Sequence, residues 1–337
     1  MNGRESKPRP AFFEQCILSA WYIRTCVCGA FHNTCPMSKT PRGEVKRQKT
    51  EDPDSLDLRG KAFGLADEEA RSAMIPPPKR ASLQSLDLGY NKIGDEAAER
   101  LAAVLGQCTS LARLDLYYNS IGATGARKLV AVLGPFKSLA YLNLSSNSIE
   151  AEGMKALAAV LGQCASLAHL DLGDNEIGDE AAGSLAAKLS QCTSLAHLAL
   201  GDNRIGDEGA GSLAAALGQC ASLAHLDLEC NGIGDEGAGS LAAMLSQCTS
   251  LAHLALGDNN IGDKGAGRLA AALGQCTSLA HLDLRGNEIG DEGAGMLAAV
   301  PKCASLIHLD LSANNIGDKG ARMLAAGTAE RAIITHY

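Results

Sequence analysis

At 337 residues, with aromatic side chains only 4% of the chain, this sequence holds too few large rings to fill an ordinary globular core. The net charge of −8 hides an asymmetry: residues 1–80 carry 14 Lys+Arg against 10 Asp+Glu, and the remainder carries 16 against 28. An acidic remainder excludes nucleic acid as the main partner, since phosphate binding needs a basic stripe, and favours a protein partner with a basic surface.

Residues 1–50 read as a disordered or poorly ordered N-terminal segment. Ala11 to Phe31 is moderately apolar, but Glu14 and Arg24 argue against a membrane span. Glu14 inside the apolar stretch, with no clean cleavage site after it, argues against a signal peptide. Cys26, Cys28, His32 and Cys35 are zinc-ligand types at a spacing cramped for a tetrahedral site. Residues 36–54, rich in Pro, Lys and Glu, read as a linker in which Lys46-Arg47-Gln48-Lys49 is a weak basic cluster. Residues 51–82 read as a degenerate capping repeat. Ser55-Leu56-Asp57-Leu58 has a strand pattern, Asp67-Glu68-Glu69-Ala70 a helix start, and Lys61 stands where the later copies have Asn.

From residue 83 to 326 the chain repeats nine times. Leu83, Leu111, Leu139, Leu167, Leu195, Leu223, Leu251, Leu279 and Leu306 stand 28 residues apart, with one residue missing before the last. Residues 167–222 and 223–278 differ at only nine positions, the mark of a duplicated two-repeat block. In the best-formed copy, Leu195, Leu198 and Leu200 alternate as the buried side of a strand, with His197 and Ala199 facing out. An Asn follows in every copy: Asn91, Asn119, Asn147, Asn175, Asn203, Asn231, Asn259, Asn287 and Asn314. The chain turns there, and a buried carboxamide can donate and accept to the stranded backbone groups. Ile205 plugs the core, Gly206 permits a bend, and Asp207 is expected to cap its own helix. Ala210, Leu213, Ala214 and Leu217 form the inward helical stripe, and Gly218 is expected to stop the helix. Residues 327–337 read as a tail without a capping pattern.

One strand and one helix per repeat predict an α/β solenoid. Strands sit roughly 4.8 Å apart and packed helices roughly 8–10 Å apart, so the stack curves and the strands line the concave face. The form LxxLxLxxNxIGDEGAxxLAxxL resembles the ribonuclease-inhibitor-type leucine-rich repeats. It is similar to the repeat regions of NOD-like receptors and of the Ran GTPase-activating protein. The resemblance covers about three quarters of the chain and implies a leucine-rich-repeat horseshoe. It implies less about function, because that fold carries several. A NOD-like receptor carries a nucleotide-binding domain before its repeats, and the 80 residues here are too few to hold one.

Several ladders repeat along the strands. His169, His197, His225, His253, His281 and His308 share the outward strand position, with Asp171, Asp227, Asp283 and Asp310 two residues on. Imidazoles beside carboxylates are ligand types for zinc or nickel, and imidazole titrates near pH 6.5. The reading adopted is a duplicated polar surface for partner contact, with no metal and no cofactor. Cys108, Cys164, Cys192, Cys220, Cys248, Cys276 and Cys303 recur where the second repeat has Phe136, as buried apolar sites would. Regular single thiols differ from the clustered cysteines of small secreted domains, so the expected location is cytoplasmic. The GDNxIGDE loops lack the ligand spacing of a calcium loop, and GDEGAG lacks the Lys-Ser/Thr ending of a phosphate loop.

Every His and Cys of the repeats has copies around it, whereas a catalytic set is normally unique. We therefore expect no enzyme, no small-molecule substrate and no membrane partner. The non-repeating outward residues are the better candidates for specificity: Tyr90, Arg113, Tyr117, Tyr118 and Tyr141 early, Glu229 and Arg285 later. The function expected is a scaffold that binds a folded protein on its acidic concave face. The alternative that the resemblance offers is activation of a small Ran-like GTPase.

Overall fold

The structure, a computed structural model, describes residues 54–66, 73–134, 136–300, 305–328 and 334–336. The readings made above on residues 1–53, on Asp67-Glu68-Glu69-Ala70 and on Cys303 lie outside them. Among the described residues, no helix is long and apolar enough to cross a membrane.

Among the described residues, eleven short parallel strands form one sheet in simple chain order. They are β1 (Ser55–Asp57), β2 (Ser85–Asp87), β3 (Arg113–Asp115), β4 (Tyr141–Asn143), β5 (His169–Asp171), β6 (His197–Ala199), β7 (His225–Asp227), β8 (His253–Ala255), β9 (His281–Asp283), β10 (His308–Asp310) and β11 (Ile334–His336). The register is unstaggered: His197 lies opposite His169 and His225, and Leu198 opposite Leu170 and Leu226. Residues 28 apart in sequence are thus immediate neighbours, and every column of the repeat becomes a physical ladder.

A helix follows each strand from β2 to β10. These run over Gly94–Leu105, Ala123–Leu133, Glu150–Leu161, Gly178–Leu189, Asp207–Leu217, Asp235–Leu245, Asp263–Leu273, Asp291–Ala298 and Asp318–Thr328. The repeat with the missing residue before Leu306 also has the shorter helix, Asp291–Ala298, with 8 residues where the one before it has 11. The strands keep register across that step, His308 opposite His281. Residues 334–336, read from sequence as part of a tail, pair with β10 as an added strand.

The core is one continuous cluster. Leu195, Leu198, Leu200, Ile205, Ala210, Leu213, Ala214 and Leu217 are all buried, as are their described counterparts from the first repeat to the eighth; in the ninth, Ile316 and Ala321 are only half-buried and Ala325 is exposed. Cys220 and its equivalents are buried in the same column as Phe136. Burial pushes the thiols of Cys192 and Cys248 up to about 11, so they pack as small apolar groups and not as nucleophiles. Cys230, at a strand exit, is only half-buried.

Asn203 shows how the turn is satisfied. Its amide donates to the carbonyls of Leu172, Leu200 and Gly201 at 2.9–3.0 Å. Its Oδ1 accepts the backbone N–H groups of Asn175 at 3.0 Å and Ile177 at 3.4 Å, and its own N–H donates to Asn231. The first repeat ties to the segment before it in the same way, with Asn91 accepting from Phe63 N–H and donating to Leu58 O.

The repeating aspartates correct an expectation. Asp207 is the first residue of its own helix, whose cap, Gly206, makes no side-chain capping bond. Its carboxylate caps the next helix instead, accepting Gly234 N–H at 2.7 Å and Gly237 N–H at 2.9 Å. Asp95, Asp179, Asp235, Asp263 and Asp291 each do the same one repeat on. A backbone switch follows from this. Where the preceding repeat supplies the Asp, the Gly at the bend is extended, as at Gly206 with φ −86°. Where it supplies Ala123 or Ala151 instead, the bend residue turns left-handed, at Glu150 with φ 56° and Gly178 with φ 70°. Those N–H groups then donate to the carbonyls of Asn175 and Asn203. The helix ends at Leu217 with Gly218 as its cap, as expected, but without a left-handed glycine: Gly218 has φ −55°, and Ser190 and Ser246 take its place in other repeats.

We expect Asp207→Ala to destabilise the protein by about 1–2 kcal/mol in urea denaturation, the usual loss of a helix cap. Asp318→Ala, which no described helix follows, should cost clearly less. Equal losses would show that the aspartates act on their own helices.

Candidate partner-binding surface

Each strand presents two side chains on its open face, and the unstaggered register stacks them. His169 and His197 have ring centroids 4.1 Å apart, His197 and His225 4.2 Å, and His253 and His281 4.4 Å, all nearly parallel. These distances are shorter than the roughly 4.8 Å between strands, so the rings lean into contact. The stack loosens at His225–His253, at 5.5 Å, and at His281–His308, at 5.7 Å. At the other end Tyr141 stacks on His169 at 4.3 Å, and the guanidinium of Arg113 lies 3.4 Å above the Tyr141 ring. Arg113, Tyr141 and the six histidines thus form one continuous ribbon of flat groups.

Burial in this ribbon pulls His169, His197 and His225 down to about 4. Like charge from neighbouring groups adds to the effect: Arg113 and His225 on His169, His169 on His197, and His197 on His225. His281 is lowered for the same reasons. The central imidazoles are therefore neutral at neutral pH.

The aspartates two residues on serve the strand exits. Asp171 accepts Gly173 N–H at 3.0 Å, Asp227 accepts Glu229 N–H at 2.9 Å and Asp283 accepts Arg285 N–H at 2.9 Å. These bonds shape the turn that leads to the Asn. Among the described residues, no group of three or more His, Cys, Asp or Glu is arranged to hold a metal ion.

The early tyrosines divide into two groups. Tyr141 belongs to the ribbon, whereas Tyr90, Tyr117 and Tyr118 pack on one another at the strand exits. Tyr90 lies 5.0 Å from both Tyr117 and Tyr118 by ring centroid. Tyr90 and Tyr118 remain 47% and 57% exposed. Both have left-handed backbones, with φ 58° and 55°. The fold imposes this on the residue before every ladder Asn from Asn91 to Asn259, as at Ser146, Asp174, Asp202, Cys230 and Asp258. The residue's N–H there bonds to the next repeat's exit carbonyl. Small and Asx residues suit that conformation, whereas a tyrosine there costs on the order of 1 kcal/mol.

Glu229 and Arg285, 56 residues apart, meet at 2.7 Å. The guanidinium also pairs with Asp283 at 2.6 Å and approaches Asp258 at 3.8 Å. It lies across Gly257, where a Cβ would come within 3.1 Å of the Arg285 Cγ. Burial, with Asp227, Asp283 and Asp258 nearby, pushes Glu229 up to about 7 against the opposing pull of Arg285. Asp258 is absent from the residues singled out by sequence. The signal was there: Glu229 and Arg285 share one column two repeats apart, and only a short residue between them lets the long side chain cross.

No curated protein matches the chain. Among solved structures it is similar to an internalin from Listeria monocytogenes, at 22% identity and TM-score 0.45, covering 77% of this chain and 76% of that one. It is also similar to a chain of the Rad7 and Elc1 complex in yeast, at 15% identity and TM-score 0.49, covering 73% of this chain and 61% of that one. The Leucine Rich repeat family model matches nine times, over residues 81–102, 107–130, 137–158, 163–186, 191–214, 219–242, 247–270, 275–298 and 302–325. These matches coincide with the nine strand-and-helix units, and the chain belongs to the leucine-rich-repeat family.

Proposed function

We propose that this protein is a binding scaffold that receives a folded protein on its strand face, without catalysis of its own. Leucine-rich repeats generally serve as protein-binding scaffolds. The observation that carries the reading here is the ribbon from Arg113 to His308, a long, flat, partly exposed ring surface flanked by carboxylates. A partner with a basic surface fits that charge, and Tyr90, Tyr117 and Tyr118 supply the residue type enriched at binding hot spots. The single buried thiol that recurs in the repeats, as at Cys108, Cys164, Cys192, Cys220 and Cys248, fits a reducing, cytoplasmic setting.

The test is a pull-down titration of the partner. Joint replacement of Tyr90 and Tyr118 by Ala should weaken binding about tenfold or more, the effect of losing one to two hot-spot residues. Their exposure should keep the melting temperature within a few degrees. Unchanged affinity would count against the reading. A single-turnover GTP hydrolysis assay with a small Ran-like GTPase separates the scaffold from the activator resemblance. Stimulated hydrolysis would replace the scaffold reading with the activator.

A further inference from the structure

We propose that the strand face takes a cationic protein segment in one fixed direction. An uncharged side chain of that segment enters the cleft that Tyr90 and Tyr118 line, and its lysines or arginines meet the carboxylates of the later repeats. This rests on the scaffold reading above and adds the partner's chemistry and polarity.

Three features of the face give the direction. First, its charge is graded. In the first two repeats the strand and exit positions balance Lys92 and Arg113 against Asp87 and Asp115. From the fourth repeat on, carboxylates outnumber the two guanidiniums, and both of those are already paired, Arg204 with Glu176 at 3.0 Å and Arg285 with Glu229 at 2.7 Å. Second, the imidazole ribbon between the two ends leaves the acidic charge uncancelled, because its central rings are neutral at neutral pH. Third, the balanced end holds a cleft of about 400 Å³ lined by Tyr90, Lys92, Gly94, Tyr118 and Ser120. It has two exposed rings, one ammonium and no carboxylate, so it suits an apolar or aromatic anchor and not a cation.

Tyr90 and Tyr118 also hold positions where the fourth, fifth and seventh repeats carry Asp174, Asp202 and Asp258. The fold accepts Asp there, and so the rings are not needed to build it. The two ends are about five strand steps apart, roughly 24 Å, which a helix of about 16 residues spans.

The test uses the full chain and two labelled peptides of about 20 residues. Each has one tryptophan at one end. The other end carries either arginines or glutamates, and binding is read by fluorescence anisotropy at neutral pH. The arginine peptide should bind and weaken with added salt, while the glutamate peptide should not bind. Tyr118→Asp, and separately the pair Asp174→Lys and Asp202→Lys, should each weaken the arginine peptide about tenfold or more. Tyr90, Tyr118, Cys230 and Ala313 hold the same left-handed position without an Asx side chain, so the lysine pair is compatible with the fold. Equal or better binding of the glutamate peptide, no binding of either, or indifference to the lysine pair would overturn the inference. A partner crosslinked to the strand face that ignores the charge reversals would overturn this inference alone. Crosslinks confined to the helix face would overturn the scaffold reading as well.

Discussion

Asn203→Ala is expected to cost about 4 kcal/mol and to break the cooperativity of unfolding, more than any surface change in the chain. The bonds that remain explain the size. Each carbonyl served by the Asn203 amide keeps a second donor: Leu172 O has the Asn175 amide, Leu200 O the Asn231 amide, and Gly201 O the Asp174 N–H. The N–H groups of Asn175 and Ile177 have only Oδ1 of Asn203. Two buried donors are thus orphaned at about 1–3 kcal/mol each, with a small cavity beside them. A repeat array is held by its own units and their nearest-neighbour interfaces. A fault in the middle therefore uncouples the two halves, and urea unfolding should broaden or split into two transitions. Asn314→Ala is the comparison. Its Oδ1 accepts only Ile289 N–H at 3.0 Å, in a half-buried setting, and its loss should cost about 1–2 kcal/mol. Equal effects at the two positions would rule out the orphaned-donor account.

The melting temperature should fall as pH drops from neutral to 4. His169, His197 and His225 have folded values near 4, below their ordinary 6.5. Between those limits the unfolded chain binds the extra protons, so stability is complete above 6.5 and is lost as pH falls toward 4. A shift of this size corresponds to about 3 kcal/mol per ring. The rings are partly exposed, and screening by solvent reduces this to about 1–2 kcal/mol each. Glu229 acts in the opposite sense. Raised to about 7, its ionisation costs stability as pH rises from 4.5 to 7, and acidification returns that cost. Asp115, Asp258 and Asp283, also raised by burial, act in the same sense as Glu229, so the three histidines leave a net loss of about 1–3 kcal/mol between pH 7 and 4. Replacing all three histidines by Tyr keeps the stack, because Tyr141 already occupies the column at 4.3 Å from His169. That variant should lose most of the acid slope in thermal melts. An unchanged slope would show that other groups carry it. Imidazole NMR titration of the native protein should place the midpoints of the three rings near 4.

What could be read from the chain before folding was whatever one repeat contains. The alternation of Leu195, Leu198 and Leu200 marks the strand, the stripe from Ala210 to Leu217 marks the helix, and the column of Cys220 and Phe136 marks an apolar site. These are properties of residues within a few positions of each other, where strand and helix geometry alone decide which way a side chain points. The same reasoning misplaced Asp207. A helix-initial Asp has two possible clients, its own helix and the next, and local pattern cannot rank them.

The candidate surface was legible only in part, for the same reason. A row of histidines could be counted, and so could the non-repeating Tyr90, Tyr118, Glu229 and Arg285. Their relations could not. Close ring stacking, the seating of Arg113 on Tyr141, the reach of Arg285 over Gly257 to Glu229, and the flip between Gly206 and Gly178 all join residues about 28 or 56 apart. Separations of that kind become contacts only through the register of the parallel sheet. The sequence by itself determined the repeating unit, its number and its buried face, because those follow from period and polarity. The tertiary structure decided which repeat each polar group serves, because an unstaggered sheet turns equal positions into neighbours and lets a side chain satisfy the backbone one repeat away.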